Sequence, residues 1–296
     1  MTKRYRVPQE KQPQAGFSSS FEAIAYVAAR LPATFAAVKT ILSHIPLNNI
    51  TSVLDLGAGP GTAALAAALH WPGCKDFHLI EGNAFMKGIS ETLLKDIPEI
   101  SGQSFSFQQA DLLTVLLGAS FDIVILSYIL GELSPENQAH VLKKAWEKGK
   151  RGIVLVMPGT PSGYRQLMVA REQLIEMGAF IAAPCPHQEA CPLKGEDWCH
   201  FSVRLPRPSF HREIKGVSLP YEDEKFSYLV ALREPVAHSS PRAFSRVIRK
   251  PLHRSGHVTL DLCTSNGLKR ETISKKNKAL YKRATKVKWG DDFEII

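Results

Sequence analysis

The sequence predicts an α/β protein organised on a doubly wound, mostly parallel sheet, and three observations carry that expectation. Apolar strand-like runs alternate with helical runs from residue 51 to 177, a pattern that sets strands side by side with helices on both faces. Residues 51–62, Thr-Ser-Val-Leu-Asp-Leu-Gly-Ala-Gly-Pro-Gly-Thr, lead the first of these strands into a helix through Gly57, Gly59 and Gly61. Residues 121–126, Phe-Asp-Ile-Val-Ile-Leu, are almost uninterruptedly apolar, as the centre of a parallel sheet requires.

Taken in order, residues 1–16 are polar and dotted with proline, and are expected to form a loose arm. Ser18-Ser19-Ser20 offers an N-cap to two alanine-rich helices at 21–29 and 32–43. Val53, Leu54 and Leu56 close the first strand, and residues 62–70 form a strong helix. A second strand at 77–80 ends in Glu81, a helix covers 83–94, and an alternating strand at 105–109 delivers Ala110, Asp111 and Leu112 to a short helix at 112–117. Beyond the apolar strand come a helix at 135–148, a fifth strand at 152–157, a turn at 158–163 and a helix at 164–177. A strand at 226–232 completes the sheet. The implied domains are N-terminal helices (1–50), a sheet core (51–182), a cysteine-rich insertion returning to the sheet (183–235) and a basic extension (236–296).

Glycine is placed where backbone turns through positive φ or lies against a ligand, and the helix that follows aims its positive end there. A dinucleotide fingerprint wants Gly-x-Gly-x-x-Gly, with its last small residue at position 62. Here the spacing is Gly-x-Gly-x-Gly, Asp55 precedes it, and position 62 is Thr. That resembles the first motif of the class I methyltransferases, which bind S-adenosylmethionine (SAM) on a Rossmann-like sheet; a glycine turn of another nucleotide-binding sheet is the alternative. The resemblance implies SAM binding by Asp55, Gly57, Ala58, Gly59 and Gly61. Glu81, twenty residues beyond Gly61, stands where a carboxylate accepts from both ribose hydroxyls. In this superfamily the position of Asp111, next to Leu112, faces adenine, although Asp111 serves equally well as a helix cap. The loop at 127–133 lacks the Asn/Asp-Pro-Pro-Tyr/Phe of amino-methylating enzymes and the cysteine used against pyrimidine C5. Tyr128 and Glu132 face either a substrate or packing, and no catalytic residue is assigned.

Composition is ordinary for a globular chain, and no apolar run is expected to span a membrane. The basic start is not followed by an apolar signal core, and five cysteines favour reduced thiols or metal ligation over a disulfide framework. The expectation is a soluble, cytoplasmic monomer. The net charge of +9 sits in one place: residues 241–296 hold 14 Lys/Arg against 5 Asp/Glu, and the rest is neutral. Basicity confined to a tail implies a polyanionic partner. Without an accompanying amphipathic apolar face, nucleic acid is favoured over anionic lipid.

Three cysteines fall at 185, 191 and 199, two of them followed by proline, and Cys263 lies in a strand-like run within the tail. A loop with so little apolar content and so many thiols suggests ligands that fold around a metal. The intervals of six, eight and sixty-four residues contain no short zinc pair. They suit an iron–sulfur cluster better, while His187, His200 and His211 keep a mixed zinc site open.

With Leu-Asp-Leu-Gly-Ala-Gly-Pro-Gly-Thr, Pro-Gly-Thr-Pro-Ser-Gly, Cys-Pro-His…Cys-Pro…Trp-Cys-His-Phe, Tyr-Glu-Asp-Glu-Lys-Phe-Ser-Tyr at 221–228 and Lys-Trp-Gly-Asp at 288–291, the chain from about residue 50 to its end resembles a known family. That family is the methyltransferase-like assembly factors of the small ribosomal subunit, comprising Rsm-type mitochondrial proteins, animal methyltransferase-like proteins and shorter bacterial relatives. Its four cluster-binding cysteines match Cys185, Cys191, Cys199 and Cys263, so the resemblance implies a [4Fe–4S] cluster and action on small-subunit rRNA or the assembling subunit. Met157 departs from it, standing where relatives are expected to carry an acid. Two functions stay open at this point, a methyltransferase and a non-catalytic RNA-binding assembly factor that keeps a SAM pocket. A zinc-stapled small-molecule methyltransferase is a third. Lys275, Lys276, Lys278, Lys282, Arg283, Lys286 and Lys288, with Tyr281 and Trp289 among them, are expected to grip RNA by charge and stacking, on a small β unit with runs at 244–249, 257–263, 268–273 and 281–287.

Overall fold

The computed structural model describes residues 17, 19–45, 47–235 and 244–294; the arm expected at 1–16 lies outside the described residues. The chain divides into two units, the first taking residues up to 43, 47–154 and 203–224, the second 44–46, 155–202 and 225 onward.

The first unit opens with α1 (Ser20–Leu42), followed by β1 (Ser52–Leu56), α2 (Thr62–His70), β2 (Asp76–Glu81), α3 (Ala84–Lys95), β3 (Ser104–Gln109), β4 (Phe121–Ser127) and α4 (Pro135–Lys148). Next come β5 (Gly149–Pro158), α5 (Pro161–Glu176), β6 (Phe180–Ala183), β7 (Phe201–Pro206), α6 (Ser209–Lys215) and β8 (Tyr221–Leu232); β5, β7 and β8 each have residues in both units. The sheet order is β3-β2-β1-β4-β5-β8-β6, with β7 also paired to β8. Strands β3, β2, β1 and β4 run parallel, whereas β6 is antiparallel to β8. This is the doubly wound, Rossmann-like sheet that the sequence predicts, with an antiparallel strand at its far edge. The sequence pattern explains the order: β1 and β4 are buried on both faces and sit centrally, while β3 alternates polar and apolar residues and takes the edge.

Three expectations need correction. The two N-terminal helices are one, capped by Ser19, whose side chain accepts from Glu22 N–H. Pro32 removes a donor at a cost of about 3 kcal/mol, but Ala23, Ala33, Ala37 and Ile41 stay buried on one face across it, and that packing keeps the helix whole. By length and composition α1 is also long and apolar enough to cross a membrane, contrary to the sequence reading; here it packs on α2 and carries an ion-paired Arg30. Residues 112–117 form a single turn and no helix.

In the second unit, β9 (Phe244–Val247), β10 (Leu252–Arg254), β11 (His257–Thr264), β12 (Gly267–Ser274) and β13 (Asp292–Glu294) form a small sheet of order β10-β11-β9-β13, with β12 on β11. Alternate residues of β11, Val258, Leu260 and Leu262, join Val247, Ile273 and Phe293 in its core. The strand expected at 281–287 is instead a helix, α7 (Lys278–Ala284), because Asn277 accepts from Leu280 N–H and starts it.

Candidate functional site

The glycine loop between β1 and α2 is shaped as its residues require. Gly57 and Gly61 have φ of 71° and 78°, in the left-handed region. A Cβ on Gly57 would come within 2.6 Å of Ile129, and one on Gly61 within 2.9 Å of Leu94, so both positions also lack room for a side chain. Gly57 and Ala58 donate their N–H groups to the Ile80 carbonyl at 2.9 and 3.0 Å, which stitches the loop to the end of β2.

Asp55, at the end of β1, is 1 % exposed. Its Oδ2 accepts from Ala64 N–H at 3.0 Å and caps α2, whose start has no other side-chain cap. Its Oδ1 is buried without a partner. Burial, opposed by the Ala64 bond and reinforced by the nearby Glu81 charge, pushes this carboxyl up to about 7. A buried acceptor with an unused oxygen is suited to a cationic ligand group that would restore its ionised form.

Glu81 reaches across from β2: Oε2 accepts from Gly59 N–H at 2.8 Å and Oε1 from Asn83 N–H at 2.7 Å. Each oxygen keeps a lone pair for a further donor. Asp111 lines a pocket with Gly82, Asn83, Gln109 and Ala110, and its Oδ1 accepts from Leu113 N–H at 2.7 Å, so it holds its own turn. Leu112, beside it, is nearly buried. Sequence reasoning missed Lys144 on α4, which spends all three ammonium protons on the carbonyls of Leu112, Leu113 and Val115 at 2.9, 3.1 and 3.0 Å. Its only signal in the sequence is a helical lysine, which nothing ties to a loop thirty residues earlier.

Two residues of the loop after β4, Tyr128 and Ile129, are bound up internally. Tyr128 has φ of 63°, a left-handed conformation unusual for a large side chain. Its hydroxyl donates to Glu224 Oε1 at 3.3 Å, and the Arg30 guanidinium clamps both oxygens of that carboxylate at 2.8 and 3.3 Å. Burial, then the Glu224 charge, pushes the Tyr128 hydroxyl well above its usual range. Ile129 packs on Gly57; Glu132 is exposed as a residue, but burial around its carboxyl and then the Glu81 charge push that group up to about 7.

In the second unit, Cys185, Cys191, Cys199 and Cys263 line one cavity of about 20 Å³ with Tyr164, Leu167, Phe201, Tyr228 and Leu268. Among the described residues no group of three or more His, Cys, Asp or Glu could hold a metal ion, so the metal-binding insertion expected from the sequence, cluster or zinc, is not found assembled there. The Tyr164 hydroxyl donates to Cys191 Sγ at 3.1 Å, and Cys263 Sγ lies 3.5 Å from His187 Nε2. Burial raises the thiols of Cys185 and Cys199 and pushes Cys263 up to about 12, with the neighbouring thiols adding to the rise in each case. The buried guanidiniums of Arg171 and Arg246 oppose it at Cys185 and Cys263. Arg171 also donates to the carbonyls of His187 and Glu189 at 3.0 and 2.8 Å, fixing the loop. His200 is stacked on Trp198, 5.0 Å between centroids, and meets Trp289 edge-on; His211 bonds the Ala29 carbonyl at 3.2 Å. Both are packing residues, which corrects their place as candidate ligands. Tyr281 packs against the small sheet and Trp289 meets His200 edge-on, so both rings expected to stack on RNA are half-buried in packing.

The chain is 29 % identical over 297 residues to the human mitochondrial ribosome assembly protein METTL17, covering 92 % of this chain and 62 % of that one. It is 28 % identical over 325 residues to the mitochondrial Rsm22-cox11 tandem protein 2 of Schizosaccharomyces pombe, covering 93 % and 43 %. It therefore spans between about two fifths and three fifths of the length of these relatives. Among solved structures, the SAM-bound magnesium protoporphyrin IX methyltransferase of Synechocystis matches 79 % of this chain and 91 % of its own at 16 % identity, with a TM-score of 0.45. The expectation of a cytoplasmic protein is overturned, because the curated relatives, including that of Saccharomyces cerevisiae, are described as mitochondrial. A family model described as mitochondrial small ribosomal subunit Rsm22 matches residues 20–294, and the chain belongs to that family.

Proposed function

We propose that this chain is a SAM-binding, methyltransferase-like assembly factor of the small ribosomal subunit that binds rRNA without transferring a methyl group. The observation that carries the reading is the loop after β4. A transferring enzyme presents polar groups there to hold and orient its acceptor. Here the hydroxyl of Tyr128 is committed to Glu224, which Arg30 clamps, and Ile129 lies on Gly57, leaving Glu132 beside Glu81 as the loop's acid. The glycine loop, Asp55, Glu81 and the Asp111–Leu112 turn keep the groups a SAM pocket needs: Asp55 for the α-ammonium, Glu81 for the ribose, and the turn for adenine. Incubation with labelled SAM and small-subunit rRNA or immature subunits is expected to leave the RNA unlabelled, while calorimetry detects binding of S-adenosylhomocysteine. Label appearing in RNA, and lost in Asp55→Asn, would establish the catalytic alternative.

The reading extends to a [4Fe–4S] cluster on Cys185, Cys191, Cys199 and Cys263. What supports it is the donor set: four thiols lining one cavity, flanked by two buried guanidiniums that offset thiolate charge. When bound, the cluster would supply a covalent link between the 185–199 loop and β11. Cys263→Ser is expected to abolish the visible absorption of anaerobically purified protein and to weaken RNA binding. RNA affinity unchanged in metal-free protein would sink the link.

A further inference from the structure

The basic residues of the tail are not equivalent. Lys269 is ion-paired with Glu271 at 3.0 Å and Arg270 with Asp261 at 3.5 Å; Arg246 pairs with Asp292 and Arg249 with Asp197. Arg283 lies 5.4 Å over the ring of Phe293. These cations are spent inside the second unit.

Among the other described cations, Lys250, Lys282, Lys286 and Lys288 are exposed at separate places, whereas Arg254, Lys275, Lys276 and Lys278 are gathered by strand register. Arg254 is paired with His257, His257 with Ser274, and Lys275 N–H donates to the Gly256 carbonyl at 3.0 Å. The β10–β11 turn and the β12–α7 connection therefore meet at one corner of the small sheet. Arg254, Lys275, Lys276 and Lys278 are all exposed there, and none has an ion-pair partner among the described residues. Asp261 and Glu271, the acids of β11 and β12, lie three or more residues away along their strands and are already paired. The corner is thus cationic with no internal counter-charge.

We propose that this corner, formed by Arg254, Lys275, Lys276 and Lys278, is the seat of an RNA sugar–phosphate backbone. The proposal rests on the RNA-binding reading above and narrows it from a tail to four side chains. With Tyr281 and Trp289 engaged in packing, phosphate neutralisation is left as the main source of affinity, so binding depends on salt and little on base sequence.

The test compares two variants that remove the same charge from exposed positions, Lys275→Gln/Lys276→Gln at the corner and Lys269→Gln/Arg270→Gln on the sheet. Each is titrated with an in vitro transcript of small-subunit rRNA and with a twenty-nucleotide poly(U), over a series of KCl concentrations. Thermal melts check that both variants are folded. The corner pair should lose about tenfold or more in affinity for both RNAs and lower the slope of log K against log salt by about 1.5, two phosphate contacts' worth; the sheet pair should stay within about twofold. Equal losses in the two variants, or a larger loss in the sheet pair, would overturn the corner while leaving RNA binding intact. No binding of either RNA by the unaltered chain would overturn the RNA reading itself. Retention on anionic phospholipid vesicles, lost in the corner pair with RNA affinity unchanged, would replace RNA by a lipid surface.

Discussion

At the scale of single residues, the buried carboxyl of Asp55 makes the sharpest prediction. Its ordinary value is 3.8 and the fold raises it to about 7, so the native state holds this proton more tightly than the unfolded chain does. The stability it contributes is complete below 3.8 and is lost as pH rises through about 7. Asp55→Asn keeps an acceptor for Ala64 N–H and removes the charge. Thermal melts should show the variant more stable than the parent at pH 8, with the gap closing by pH 4. Calorimetry should show S-adenosylhomocysteine binding weakened by about tenfold or more, the scale of one charge-assisted hydrogen bond. Lys144 makes the complementary case, since it touches no expected ligand atom. Lys144→Met leaves three carbonyls without their donor, at a cost of about 1.5–3 kcal/mol. Faster amide exchange across 112–116 and weaker ligand binding, with α4 itself unchanged, are the expected readouts.

At the scale of elements, most of the fold was legible. The strand–glycine–helix unit, the apolar β4 and the helices after it follow from spacing and turn chemistry alone. What was not legible depended on contacts distant in sequence. Pro32 reads as a helix break, and only the face that Ala33, Ala37 and Ile41 share with Ala23 shows why it is not one. The alternating run at 281–287 reads as a strand until Asn277 is recognised as a cap. Of the candidate site, Asp55, the glycines and Glu81 come together as spacing implied, with Glu81 accepting from Gly59. The engagement of Tyr128 with Glu224, ninety-six residues away, leaves no local trace. Tyr128→Phe tests that engagement: it keeps the left-handed backbone but drops the bond to Glu224. Limited proteolysis should cut more readily at 127–133, and Tm should fall by a few degrees, about 1 kcal/mol.

At the scale of the whole molecule, two chemistries occupy one chain. The first unit carries the glycine loop with Asp55 and Glu81, and the second carries the four thiols and the cationic corner. β11 bears Cys263 at one end and His257, beside the corner, at the other, six residues or about 20 Å apart. If a cluster anchors the first end, its loss should loosen the second. Amide exchange in β12 is expected to quicken in Cys263→Ser while exchange in β1 and α2 stays as it was. Quickening everywhere would mean general unfolding.

The bond from Gly59 N–H to Glu81 carries a consequence of its own. A carboxylate that already grasps the bend above it holds the glycine loop in one shape. Little disorder is left to quench on arrival, so capture should be quick and nearly independent of viscosity-sensitive rearrangement. The loop should also hold its form without any ligand, and amide exchange at Gly59 should be as slow in the free chain as in one given S-adenosylhomocysteine.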